Sequence, residues 1–356
     1  MKIFKHLPLF AIALLCVVSS CNNAKTNKDI ILVGEVQSDI EPNIDSLLIS
    51  YETLYKGKES NENRTFNIAV IQYAYHSRLD AVYSGIEQFL SNFKDQYKFT
   101  YKVAMGDATT NATISKNVVK ENPDLIITLG TGTSIAVLKE TKTIPVVFSV
   151  VTDPVSTGIA ESWEKPGGNK TGISDMDPFE QQIALIKLLK PDVKNVGIIV
   201  NYSEPNCEAG MKIVKDALNK YQMPFKEVNA TNASEVAIAA KSLAASSDVF
   251  FISPANTVYE SLGVIQKVAD EKNIMVIGGD ETSVSEKGAL CTYTYDFNQM
   301  GINTAKLATC ILKHNLNPGD IPVTKPTKLY LYFNKTKAEK LGIRIPQVLS
   351  EIIKEK

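Results

Sequence analysis

Two stretches of this chain begin alike: Asn67-Ile-Ala-Val-Ile71 and Asn195-Val-Gly-Ile-Ile-Val200. Each is a short β-branched apolar run, followed by a segment of helical periodicity and then by another such run. After the first, Leu79, Val82, Ile86, Phe89 and Leu90 fall on one helical face. Strands expected at 99–103, 124–128 and 145–151 then alternate with helices at 112–119 and 134–139. After the second, strands expected at 225–228, 248–252 and 274–277 alternate with helices at 208–220, 234–245 and 258–271. A strand at 289–295, a helix at 300–313 and a strand at 328–333 complete the series. Alternation without hairpins predicts parallel sheets with right-handed crossovers. The fold class is therefore α/β, with two doubly wound parallel-sheet lobes.

The chain of 356 residues is long enough for two such lobes with a shared core. Charged residues make up 22% and the net charge is −1, so no basic stripe points to nucleic acid. At the N-terminus, Lys2 and Lys5 precede twelve apolar residues, Leu7 to Val18, and then Ser19-Ser20-Cys21. The apolar run is too short to span a bilayer as a mature helix. The pattern resembles a bacterial lipoprotein signal: residues 1–20 are removed and Cys21 is lipidated, placing the protein outside the cytoplasm, anchored to a membrane. An ordinary secretory signal with a chance cysteine is the plainer alternative. Residues 21–65, rich in Asn, Lys, Asp, Glu and Ser, read as the lipidated cysteine and a tether, with a short helix possible between 46 and 55. Three histidines and no CxxC spacing argue against a metal site.

Polar clusters end the expected strands, where ligands sit in open α/β sheets. In the first half these are Gln72 and Tyr75, the loop Thr131-Gly132-Thr133-Ser134, and Ser149 with Asp153. The loop Leu129-Gly-Thr-Gly-Thr-Ser134 precedes a helix, whose free N–H groups favour a carboxylate; N-capping by Thr133 or Ser134 is compatible with that role. Its glycine spacing is not GxGxxG, because position 135 is Ile135, so no dinucleotide cofactor is expected. Asp153 before Pro154 also reads as an N-cap. In the second half the clusters are Asn201 and Tyr202, Asn256 and Thr257, and Asp280. Asp280 is the expected partner of a ligand ammonium group, with a cap on the following turn as its structural alternative. Tyr73, Tyr75 and Tyr202 suggest an aromatic-walled pocket.

Several motifs in order, Val146-Val-Phe-Ser-Val-Val-Thr-Asp-Pro-Val155, Glu164-Lys-Pro-Gly-Gly-Asn169 with Thr171-Gly-Ile-Ser174, Asp248-Val-Phe-Phe-Ile-Ser-Pro-Ala-Asn-Thr257 and Asn334-Lys-Thr-Lys-Ala-Glu-Lys-Leu-Gly342, resemble one family. It is the ABC-transporter substrate-binding protein family with tryptophan- and phenylalanine-binding members, on the type I periplasmic binding fold. Two departures stand out: His76-Ser-Arg-Leu-Asp80 where the family has His-Pro-Ala-Leu-Asp, and Ala255 at a usual Asp. The resemblance implies lobes at 66–176 plus 296–323 and at 177–295 plus 324–356, joined by a three-strand hinge near Met176, Tyr295 and Val323. It also implies a monomeric receptor for a small ligand, an amino acid favoured and an aromatic one possible, serving an ABC permease and ATPase. A domain feeding a membrane sensor is an alternative outcome. An α/β hydrolytic enzyme is another, but there is no GxSxG elbow, and His76, weighed as a base, reads better as a loop-fixing residue.

Overall fold

A computed structural model of the protein describes residues 29–37, 44–54, 64–326 and 328–355. The expected signal segment and Cys21 lie outside the described residues. In chain order the strands are Ile31–Gln37 (β1), Phe66–Gln72 (β2), Tyr97–Val103 (β3), Leu125–Leu129 (β4), Val146–Ser149 (β5), Lys170–Ile173 (β6), Val196–Val200 (β7), Phe225–Asn229 (β8), Val249–Ile252 (β9), Met275–Ile277 (β10), Cys291–Thr294 (β11), Lys328–Asn334 (β12) and Lys354–Glu355 (β13).

Five strands form the first sheet in the order β3-β2-β4-β5-β6, all parallel. Eight form the second, β13-β1-β12-β11-β10-β9-β7-β8. Its members from β7 to β11 are parallel, and β12, β1 and β13 extend it antiparallel. Central strands β4, β7 and β9 are buried at every position, as apolar strands covered by helices on both faces must be. The chain passes between the sheets after β6, after β11 and before β12, where Ser174 N–H donates to the Thr324 carbonyl (2.9 Å).

The helix after β11, Phe297–His314, lies on the first lobe against the helix Ser77–Leu90. Glycine makes the close approach possible. A Cβ on Gly301 would stand 2.0 Å from the Val82 carbonyl oxygen, and one on Gly85 would stand 2.0 Å from the Asn298 carbonyl oxygen. The helix is thus fixed against the first lobe although its preceding strand belongs to the second.

Two expectations change. The tether reading fails for 31–37, and the short helix held open between 46 and 55 is present as Ile44–Leu54. The run Ile31-Leu-Val-Gly-Glu-Val36 pairs antiparallel with β12 from Ile31 opposite Asn334 to Gln37 opposite Lys328. The helix Ile44–Leu54 buries Ile44 and Leu48 in the core cluster, and Asn303 Nδ2 lies 3.4 Å from Asp45 Oδ1. The polar composition of the flanks masks the short apolar pattern of β1. Second, the strand expected to reach residue 151 ends at Ser149, because Val150 turns to φ +57°, a costly conformation for a β-branched residue. The strand β6, which the periodicity did not reveal, pairs with β5 along its whole length.

Replacing Gly301 by Val should force the two packed helices apart and lower the unfolding free energy by about 1–3 kcal/mol or more. Urea denaturation checks this: the midpoint should fall while the slope stays unchanged. An unshifted midpoint would show that the helix contact relaxes freely.

Candidate functional site

A small cavity lies between the lobes. Its walls include His76, Arg78, Gly130, Thr131, Val150, Thr152 and Asp175 from the first lobe and the hinge. Asn206, Pro254, Asn256 and Tyr259 come from the second lobe. The first-lobe side is built from strand ends: His76 and Arg78 follow β2, Gly130 and Thr131 follow β4, and Val150 follows β5. Gly130 caps the helix Thr131–Glu140 at φ +100°, ψ 150°, a region open only to glycine, and this turns the helix N-terminus toward the cavity.

The segment His76–Arg78 reaches across to the second lobe. His76 Nε2 lies 3.0 Å from Asn256 Oδ1, the Ser77 hydroxyl donates to Asp280 Oδ2, and Arg78 Nη2 donates to the Gly279 carbonyl (2.8 Å). Arg78 is 2% exposed, and buried charges of this kind require partners. Asp177 Oδ2 is 2.7 Å from Nη2, and Asp175 Oδ2 is 3.5 Å from Nη1. The guanidinium also lies over the rings of Tyr259 (4.4 Å) and Phe297 (4.8 Å). Burial opposes the Arg78 charge, but Asp177, Tyr259, Asp175 and Asp280 more than offset it, so the group is held protonated. Burial raises both hinge acids; Asp177 is pushed up to about 7 despite the opposing Arg78.

Glu204 organises the second-lobe wall. Its carboxylate accepts from Asn256 N–H (2.7 Å) and Nδ2 (2.6 Å), and from Thr257 N–H (3.0 Å) and hydroxyl (2.6 Å). Since Asn256 Nδ2 donates to Glu204, its Oδ1 faces His76 and accepts from Nε2–H. Burial pushes His76 down to about 4, so the ring is neutral near pH 7. Its Nδ1 is then a lone-pair acceptor.

Four buried polar atoms on the cavity-lining residues have no hydrogen-bond partner within the described residues: His76 Nδ1, Arg78 Nε, Thr131 Oγ1 and Asp175 Oδ1. Two are acceptors, His76 Nδ1 and Asp175 Oδ1. Two can donate, Arg78 Nε and the Thr131 hydroxyl. Unpaired buried polar groups are costly, so such a set is matched to an occupant carrying both functions.

The remaining sequence-predicted residues are placed as follows. Thr131 lines the cavity, and Gly132 lies beside it in the same helical turn, its carbonyl accepting from Asn111 Nδ2 (3.1 Å). The Thr133 hydroxyl donates to Asn111 Oδ1 (3.1 Å), and the Ser134 hydroxyl donates back to the Gly130 carbonyl (2.9 Å). Gln72 is saturated by Ala74, Asp80 and Tyr101. Ser149 lies 3.0 Å from the Thr304 hydroxyl and ties β5 to the long helix. Asp153 caps the turn through Val155 and Ser156 N–H (both 3.1 Å). Asn201 and Thr257 serve the Glu204 network, and Asn256 joins that network to His76.

Two expectations, for Tyr75 and Tyr202, are corrected by these contacts, and Asp280 takes up its alternative role as a cap. Asp280 caps the helix Glu281–Ser285, accepting from Ser283 N–H (2.9 Å) and the Thr282 hydroxyl (2.8 Å), while its other oxygen takes the Ser77 hydroxyl. Oδ1 thus takes two donors and Oδ2 one, which makes the residue a helix cap and a tie between the lobes. Tyr75 is 52% exposed, outside the cavity lining. Tyr202, 37% exposed, donates to Glu227 Oε2 (2.7 Å) rather than facing the cleft. The aromatic wall is instead Tyr259, stacked with His76 at 5.4 Å between ring centres. Arg78, Asp175, Asp177 and Tyr259 were not singled out. A pair of acids, Asp175-Met-Asp177, flanking the expected hinge residue Met176 was the available signal for two of them.

His76 gives a pH prediction. Its folded pKa lies below the unfolded value of 6.5, so its contribution to stability is present above about 6.5 and is lost as pH falls through about 4. The unfolding free energy of the wild type minus that of His76→Gln should rise between pH 4 and 6.5, by up to about 3 kcal/mol, and be flat above. Denaturant titrations at each pH read this directly; a flat difference across the window would mean that His76 is not buried neutral.

Comparison with known proteins places this architecture. The family model described as ABC transporter substrate binding protein matches residues 67–355. A tyrosine-binding protein of Clostridioides difficile (strain R20291) is 31% identical over 293 residues, covering 81% of this chain and 84% of its own. The crystal structure of a conserved domain protein from Vibrio cholerae is 34% identical with a TM-score of 0.76, over 81% of this chain and 98% of that one. The structure of an ABC domain in complex with L-Trp from Streptococcus pneumonia is 28% identical with the same TM-score of 0.76, over 81% and 98%.

Proposed function

This chain belongs to the ABC transporter substrate-binding protein family, and we propose that it is an extracytoplasmic receptor that takes an α-amino acid into the cleft between its lobes. The observation that carries this reading is the matched set of unpaired atoms on the cavity wall. A carboxylate would accept from the Thr131 hydroxyl, the first-turn N–H groups of the helix Thr131–Glu140 and Arg78 Nε–H. An ammonium group would donate to Asp175 Oδ1 and His76 Nδ1. The relatives named for tyrosine binding and solved with L-Trp agree with this chemistry.

The ligand would touch both the loop arms of the first lobe and the wall behind Asn256, so binding favours the closed arrangement by differential affinity. The closed form, acting as a monomer, is what an ABC permease and its ATPase would recognise. Lipidation at Cys21 would hold the receptor at the membrane. Ten residue steps separate Cys21 from Ile31, where β1 starts, a reach of at most about 33–36 Å. The anchor would therefore hold β1, the neighbour of the edge strand β13, close to the bilayer.

Isothermal titration of the full chain, stripped of carried-over ligand, against α-amino acids, sugars and nucleosides tests the receptor reading. An amino acid should bind, and Asp175→Asn should weaken it by about 1.5–3 kcal/mol, or ten- to a hundredfold, by removing a charge-assisted partner. A response to sugars or nucleosides alone would overturn the amino-acid assignment. Separately, Cys21→Ala should move the protein from the membrane to the soluble fraction with unchanged ligand affinity; a variant still pelleting with membranes would contradict the anchor.

A further inference from the structure

We infer that Arg78 sets the size of the ligand side chain in this cleft, restricting the receptor to α-amino acids with short side chains; the inference rests on the amino-acid reading above. Tyr259 and His76 are the aromatic rings among the described residues that line the cavity. Tyr259 is already engaged by two neighbours. The two rings stack on each other at 5.4 Å, and the Arg78 guanidinium covers Tyr259 at 4.4 Å while also lying over Phe297 at 4.8 Å.

Arg78 is held in this position on every side. Asp177 and Asp175 pair with its Nη atoms, the Gly279 carbonyl accepts from Nη2, and the side chain is 2% exposed. Withdrawing it would strand two buried carboxylates, so the ion pairs lock the guanidinium against the rings. The cavity beside it is small, so any amino acid requires the lobes to part. Moderate opening of the lobes admits an α-amino and α-carboxyl group to the four unpaired atoms. A ring would additionally need the place that Arg78 occupies. A guanidinium sandwiched by aromatic rings thus stands where a flat ligand side chain would stack.

The test is a panel of all twenty amino acids titrated into the ligand-stripped full chain, into Arg78→Ala and into Arg78→Lys. The wild type should bind glycine, alanine or serine at least about tenfold more tightly than tryptophan, tyrosine or phenylalanine. Arg78→Ala should reverse that order by uncovering Tyr259. Arg78→Lys keeps a cation beside Asp177 but not the flat guanidinium, and should narrow the difference. A wild type that prefers aromatic amino acids overturns the inference while leaving the receptor reading intact. Binding of no amino acid overturns both. Should Arg78→Ala not fold, the wild-type panel and Arg78→Lys still decide the matter.

Discussion

The buried guanidinium of Arg78 is the interaction around which the closed arrangement is built. It projects from the first lobe, pairs with two acids at the hinge, bonds a carbonyl of the second lobe and covers two rings. One cation facing two buried carboxylates leaves excess negative charge in a low-dielectric site. Burial accordingly raises Asp177, and Asp175 keeps one oxygen without a partner. The arrangement therefore links the two lobes and their charge balance through a single side chain.

Two further features determine how the lobes meet. The glycine contacts at Gly85 and Gly301 let the helix Phe297–His314 lie close on the first lobe, although β11, just before it, is a strand of the second sheet. The N-terminal segment adds another link: β1 is a strand of the second sheet, while the helix Ile44–Leu54 packs on that same long helix of the first lobe. These elements lie N-terminal to the region matched by the family model, which starts at residue 67. They extend the second sheet antiparallel beyond its parallel core.

Much of the architecture was legible in the sequence. The two opening runs at Asn67 and Asn195 and the alternation after each identify the α/β class, because a parallel strand buried on both faces must be a continuous apolar run. The ordered motifs identified the family. What the periodicity did not reveal is short or locally ambiguous: β6 has four residues with a glycine in the middle, and β1 sits within a polar stretch. Capping chemistry was readable only in part. Asp153 before Pro154 announced its turn, but Asp280 has no following proline, and only its contacts with Ser77, Thr282 and Ser283 show its part in capping and in tying the lobes.

Local order determined by the sequence alone thus includes most of the strands and helices, the glycine turn at Gly130 and the helix N-terminus that follows it. These depend on periodicity and backbone conformation within a few residues. Tertiary structure alone decided the site. His76, Arg78, Asp175, Glu204 and Tyr259 are scattered over 184 positions from first to last, and their roles arise from burial, pairing and orientation across two lobes. A side chain's charge is written in the sequence, but whether that charge is paired, covered or left facing a cavity depends on neighbours that only folding brings together.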